Sequence, residues 1–144
     1  MLKGISPLVS SELLATLHRM GHGDRLVFAD AFFPAFSLGP PVVVASGLEI
    51  TDLLGAVLPL FTLDQYTGSP LTMMQAVPGD ELDPEVAASY QSVVASFEPD
   101  RAQVRYVERH AFYEEAATSF AIVLTGSARK YANLMIAKGV TPIA

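Results

Sequence analysis

Four side chains in this sequence are of kinds that hold or move protons, and each stands where the chain could present it. His22 lies between Gly21 and Gly23, with Asp24 following. With no side chain on either neighbour it is sterically open, and an imidazole that titrates near neutrality suits general acid or base work. Asp30 closes the short apolar run 26–29, and the ends of buried strands are where ligands sit in open α/β sheets. Tyr131 and Asn133 are two apart in a segment that reads as extended, so both would point the same way. A phenol and an amide are suitable partners for sugar hydroxyls. Each position also has a plainer reading. His22 could be a turn histidine bonded to backbone, Asp30 an Asx-turn residue opening a loop, and Tyr131 a core tyrosine beside a turn asparagine.

The elements that would position these groups are legible from pattern. Ser10-Ser11-Glu12 opens a first helix, with a hydroxyl cap and an early acid. Leu13, Leu14, Leu17 and Met20 form its stripe, and Gly21 is placed to end it. Residues 26–29 and 42–45 read as strands. Between them, 32–41 contains three prolines, a glycine and three phenylalanines. The prolines and glycine exclude regular structure, so Phe32, Phe33 and Phe36 must pack on the core, a ligand or another subunit. Thr51-Asp52 caps a second helix that Pro59 limits. Residues 71–77 read as a third strand, with a turn at Pro78-Gly79-Asp80. Asp83-Pro84-Glu85 is the strongest helix start in the chain, and that helix runs to about Phe97. Residues 103–107 alternate as a half-buried strand. A short helix over 110–119, a strand over 120–124 and a last strand over 133–136 complete the order. Helices and strands alternate, which predicts one domain, 1–144, of three-layer α/β type with helices on both faces of a largely parallel sheet.

Composition narrows the function classes. The chain has 144 residues, 51% of them hydrophobic and only 17% charged. That is more apolar than a small monomer needs, so either the sheet is covered on both faces or subunits bury surface between them. Net charge is −6 and no basic cluster occurs, which argues against nucleic acid or an anionic membrane as partner. No apolar run reaches the roughly 18 residues that would span a bilayer, and residues 1–7 carry no signal-like stretch. Cysteine is absent, which removes disulfides, thiolate nucleophiles and cysteine-based zinc sites; the cytoplasm is the expected location. There is no His-Glu-x-x-His pair, acidic calcium loop, nucleophile elbow or phosphate-binding glycine loop, so no metal is expected. His18, off the stripe of the first helix, and His110, at the start of a short one, read as surface or capping groups.

The same residues carry a resemblance. The sequence is similar to the ribose pyranase/fucose mutarotase family, and within it to the fucose mutarotase branch. The likeness runs through Leu2-Lys3-Gly4-Ile5-Ser6-Pro7-Leu8, Met20-Gly21-His22-Gly23-Asp24, Ala29-Asp30, Phe33-Pro34-Ala35 and Leu82-Asp83-Pro84-Glu85-Val86. It continues through Phe112-Tyr113-Glu114, Tyr131-Ala132-Asn133-Leu134 and Lys138-Gly139-Val140. The resemblance implies the ribose pyranase-like fold, with a largely parallel or mixed sheet. It implies His22 as general acid, Tyr131 as second proton shuttle or hydrogen-bond partner, and Asp30, Arg109, Tyr131 and Asn133 as substrate-binding groups. It implies interconversion of the anomers of a free monosaccharide, most simply L-fucose, by ring opening and reclosure without a cofactor. A homo-oligomer, with a decamer ring as one form and sites near subunit contacts, goes with it. Ribose pyranase activity and a non-catalytic sugar-binding oligomer are the alternatives. Phe32 and Phe36 stand where some relatives carry histidine or another polar residue, which bears on which sugar fits.

Overall fold

The computed structural model describes residues 1–143. Among them are six strands, β1 (Arg25–Ala29), β2 (Val42–Ala45), β3 (Leu71–Met74), β4 (Val104–Val107), β5 (Ala121–Thr125) and β6 (Leu134–Ala137). Four α-helices accompany them: α1 (Ser11–Arg19), α2 (Ile50–Val57), α3 (Pro84–Phe97) and α4 (Arg109–Ala117). The strands form one sheet in the order β2-β5-β1-β6-β3-β4. β1 and β2 run parallel to β5, and β3 parallel to β4. β6 lies between β1 and β3, antiparallel to both. The sheet is therefore mixed, and the length of a connection explains why. Only residues 126–133 separate β5 from β6, fewer than the dozen or so that a parallel crossover needs, so the chain turns back beside β1.

Strand alternation sorts side chains into two layers. Leu26 and Phe28 of β1 face a large core with Leu13 and Leu17 of α1, Leu53, Leu54 and Val57 of α2, and Val86, Tyr90 and Val94 of α3. Val27 and Ala29 face the opposite layer, where Phe112 and Ala116 of α4 close a smaller core with Phe33, Met74, Ile122 and Met135. The result is the expected three-layer arrangement, with three helices on one face and one on the other. Arg25 and Arg105 both reach Glu115 of α4, at 2.9 and 2.6 Å, tying the lone helix to two strands.

Local signals held where sequence-near groups decide the structure. Ser10 caps α1, accepting the N–H of Leu13 at 3.1 Å, and Asp83 caps α3, accepting that of Glu85 at 3.0 Å. They failed where distant groups decide it. α1 does not end on a left-handed Gly21. Met20 turns extended, and the Lys138 ammonium, far along the chain, takes the freed carbonyls of Leu17 and Met20 at 2.8 and 2.6 Å. The left-handed residue is Gly23, at φ 85°. α2 starts at Ile50, a residue ahead of the expected cap, with no side-chain cap bond at Glu49; Ile50 is fully buried, and core contact sets the start. β3 stops at Met74 rather than Val77, which frees Val77 to line a pocket.

One hydrogen bond links the larger core to that pocket. The buried Tyr90 hydroxyl of α3 donates to the carbonyl of Ala132 at 2.6 Å, from the residue between Tyr131 and Asn133. Burial pushes the Tyr90 phenol upward, so it remains a neutral donor. Tyr90→Phe leaves a buried carbonyl unpaired and should lower stability by about 1–3 kcal/mol. Urea denaturation checks this, and an unchanged midpoint would show that the bond anchors nothing.

Candidate active site

Asp30, the first residue past β1, is 6% exposed. Its N–H donates to Asn133 Oδ1 at 2.7 Å, and its own Oδ1 accepts the Phe32 N–H at 2.9 Å. The Asx-turn reading of Asp30 is thus met, on a carboxylate that also lines a pocket. Burial pushes its carboxyl up, while the Phe32 N–H and the Asn133 side chain pull it back. Asn133 is also buried. The two meet because β6 is antiparallel: its leading end lies beside the trailing ends of β1 and β3.

Tyr131 comes to the same place by an unusual backbone. Among the described residues it alone, apart from glycines, has a positive φ, at 53°. A bulky residue there carries strain of about 1–3 kcal/mol, which persists only where surroundings over-determine it. The hydroxyl of Tyr131 donates to Asp80 Oδ2 at 2.8 Å and accepts the Val77 N–H at 3.3 Å. Asp80 also takes the Lys130 ammonium at 2.8 Å, and that hydrogen bond, with the Glu81 N–H and Tyr131, holds its carboxyl down at about 2.

Arg109 is the first residue of α4, where a cation opposes the helix dipole; Glu108 caps the helix, taking the N–H groups of His110 and Ala111. The guanidinium lies 5.4 Å from the centre of the Tyr113 ring, and its Nε donates to the Tyr113 hydroxyl at 3.3 Å. Phe33 sets this helix against the end of β1. Its ring packs edge-on to Phe112 at 6.0 Å and Tyr113 at 5.6 Å. Phe33 is the buried member of the loop's three phenylalanines; Phe32 and Phe36 are 76% and 73% exposed.

Together these groups line a pocket of about 280 Å³, with Asp30, Arg109, Tyr113, Lys130, Tyr131 and Asn133 as its polar groups and Phe32, Met74 and Val77 among its apolar ones. That lies near the lower bound of the roughly 300–1,000 Å³ typical of small-molecule sites, a size for something small. Four of the five sequence-singled residues are brought together. His22 is not among them. It precedes β1 whereas Asp30 follows it, and five residues at about 3.3 Å each separate the ends. At its own end His22 Nε2 lies 3.2 Å from Oδ1 of the buried Asp64, which also accepts the Tyr66 N–H at 2.9 Å. The Tyr66 ring is 5.2 Å from the imidazole. A carboxylate on Nε2 fixes the ring's tautomer and orientation. The Lys138-Gly139-Val140 block secures this end. Lys138 pairs its backbone with Gly23 and Asp24, and a Cβ on Gly139 would collide with the Leu63 carbonyl and the Gln65 side chain.

Sequence reasoning missed Asp64 and Asp80, the latter read only as a turn residue. His18 and His110 are exposed, as expected. Among the described residues no group of three or more histidines and carboxylates forms a metal cluster, and no helix is long and apolar enough to cross a membrane.

The model of the RbsD / FucU transport protein family matches residues 3–141. The chain belongs to this family. Its fold superposes on the fucose mutarotase of Streptococcus pneumoniae, solved in complex with L-fucose, with a TM-score of 0.92, 37% identity and coverage of 98% of this chain and 100% of that one. FucU of Bifidobacterium longum is similar at TM-score 0.93 and 38% identity, over 97% and 100% of the two chains. RbsD of Bacillus subtilis, complexed with D-ribose, shares the fold at TM-score 0.73 and 18% identity, over 99% and 100%.

In this RbsD / FucU family member the buried Asp30 should weigh against stability at neutral pH. Because its folded pKa is raised above the ordinary 3.8, the stability this group allows is greatest below that value and is lost as pH rises through the raised one. Asp30→Asn removes the loss. It should raise the denaturation midpoint at neutral pH, with the advantage fading as the solution is acidified; a lower midpoint at neutral pH would contradict this.

Proposed function

We propose that this chain interconverts the α and β anomers of a free reducing sugar, L-fucose or a close relative, by acid/base-catalysed ring opening and reclosure. What carries the reading is the convergence of Asp30, Arg109, Tyr131 and Asn133 on one small pocket. Arg109 offers a rigid donor fork to sugar oxygens, and Asp30 accepts from sugar hydroxyls. Phe32, Met74 and Val77 give the pocket an apolar side suited to a sugar's C–H face and to a methyl group, which fucose has and ribose lacks. That favours fucose over the ribose pyranase alternative. It agrees with the identities to the Streptococcus and Bifidobacterium proteins.

Ring opening needs one group to protonate the ring oxygen and another to remove the proton of the anomeric hydroxyl. We assign these to His22 and Tyr131. Two proton transfers suffice, with no cofactor, and each such group is worth roughly 10²–10⁴-fold. His22 and Asp64 lie at the opposite end of β1 from the pocket of their own chain, so the site is completed by a neighbouring copy's His22. The working form is then a homo-oligomer, a decamer ring according with the resemblance, in the cytoplasm. The exposed Phe32 and Phe36 at the pocket side and the exposed Tyr66 beside His22 are apolar surfaces such a contact would cover.

Saturation-transfer NMR between the anomeric protons of L-fucose, with and without protein, tests the activity. Faster exchange with fucose than with ribose is expected. His22→Ala should abolish the acceleration and leave sugar binding largely intact; binding with no acceleration by the unaltered protein would favour the sugar-binding alternative. Sharing of the site is tested by mixing. His22→Ala and Tyr131→Phe proteins, each slowed by roughly a hundredfold or more, should recover roughly a quarter of full activity once their subunits exchange at random, because one in four sites then has both groups. No recovery would place His22 and Tyr131 of the same chain in one site.

A further inference from the structure

Asp80 lies in the short loop after β3, and its bonds divide the hydroxyl of Tyr131, a residue of the pocket wall, in two. A phenol has a single proton to give. Here that proton goes to Asp80 Oδ2, 2.8 Å away. The Lys130 ammonium holds the same oxygen at 2.8 Å, and the Glu81 N–H holds Oδ1 at 2.9 Å. The Val77 N–H, at 3.3 Å, takes part of what the phenol oxygen can accept. What Tyr131 has left for a ligand is a lone pair.

Resting on the mutarotase reading, we infer that Asp80, paired with Lys130, is a positioning residue that presents Tyr131 to the sugar as a proton acceptor rather than a donor. In ring opening the proton of the anomeric hydroxyl passes to the Tyr131 oxygen as the phenolic proton passes to Asp80 Oδ2. The general acid protonates the ring oxygen, and the ring C–O bond breaks to give the aldehyde. Reclosure on the other face runs both transfers backwards, so the protein ends as it began. This divides the labour: His22 protonates, Tyr131 deprotonates. The charged and titratable groups facing Asp80 are Lys130 and Tyr131; the nearby Asp83 and Arg129 are paired with each other at 3.2 Å. Lys130 keeps Asp80 ionised across the ordinary carboxylate range, so its capacity to orient the phenol is independent of pH wherever the protein works.

Exchange of L-fucose anomers measured across sugar concentrations tests this. Asp80→Ala should lower kcat by about tenfold to a hundredfold, the scale of a misoriented reacting group, with KM changed less than about twofold. In a Tyr131→Phe background the same substitution should cost nothing further, since the two act as one unit. A merely structural Asp80 would instead impose the same penalty in both backgrounds, and that result, or an unaltered kcat, overturns the inference. Lys130→Met gives a second readout if Asp80→Ala fails to fold. Relative to the unaltered protein, its activity should fall between about pH 5 and pH 3, as Asp80 titrates in the ordinary carboxylate range; a flat ratio overturns the inference. Unaltered protein that accelerates no sugar overturns the mutarotase reading itself, whereas an active protein indifferent to Asp80→Ala overturns this inference alone.

Discussion

The antiparallel seating of β6 between β1 and β3 is the constraint on which the site depends. It brings the segment before β6 to the same edge of the sheet as the residues after β1 and β3. Asn133 thereby reaches the N–H of Asp30, and Tyr131 reaches Val77 and Asp80. Were β6 parallel, those residues would lie at the opposite edge, beside His22. The geometry follows from a short connection: residues 126–133 cannot carry the chain across a sheet face, so it must turn back. The same reversal brings Lys138 to the other edge, where it caps α1 and pairs with Gly23 and Asp24. One strand therefore secures both ends of the molecule.

Stability is given up at the pocket and recovered around it. Asp30 is a carboxylate in a buried position, and Tyr131 sits in a backbone region that bulky residues avoid. Neither would persist alone. Tyr90 grips Ala132 from the larger core, Asn133 ties down the Asp30 backbone, and Asp80 with Lys130 fixes the phenol. Each contact comes from a different element, so the strained segment is held from three directions. Such over-determination is what allows a polar group to be kept ready before a ligand arrives.

The two ends of β1 carry contrasting polar chemistry. At one, a half-open pocket gathers hydrogen-bonding groups around an apolar wall. At the other, an exposed imidazole is braced by a buried carboxylate and an aromatic ring. A single chain holds both and unites neither. In the proposed mechanism this separation is a reason for association, because a complete proton-transfer set then exists only where two copies meet.

Most of the fold was legible in the sequence, because its signals are local. Ser10 and Asp83 announce helix starts through bonds to backbone two or three residues away, and alternating apolar residues mark strands regardless of what they pair with. His22, Asp30, Tyr131 and Asn133 stood out by type and setting, and Arg109 through the resemblance. Asp64 and Asp80 did not, since an aspartate in a loop looks the same whether or not an imidazole or a phenol lies across from it. The end of α1 was misread for the same reason: its cap is Lys138, from the far end of the chain. By itself the sequence determined the elements, their order and the short β5–β6 connection that makes the sheet mixed, all set by backbone preference and chain length. Only the tertiary structure decided which polar groups share a pocket, which carboxylate holds which partner, and that His22 stands apart from Asp30, because these are matters of strand direction and through-space distance that no local pattern encodes.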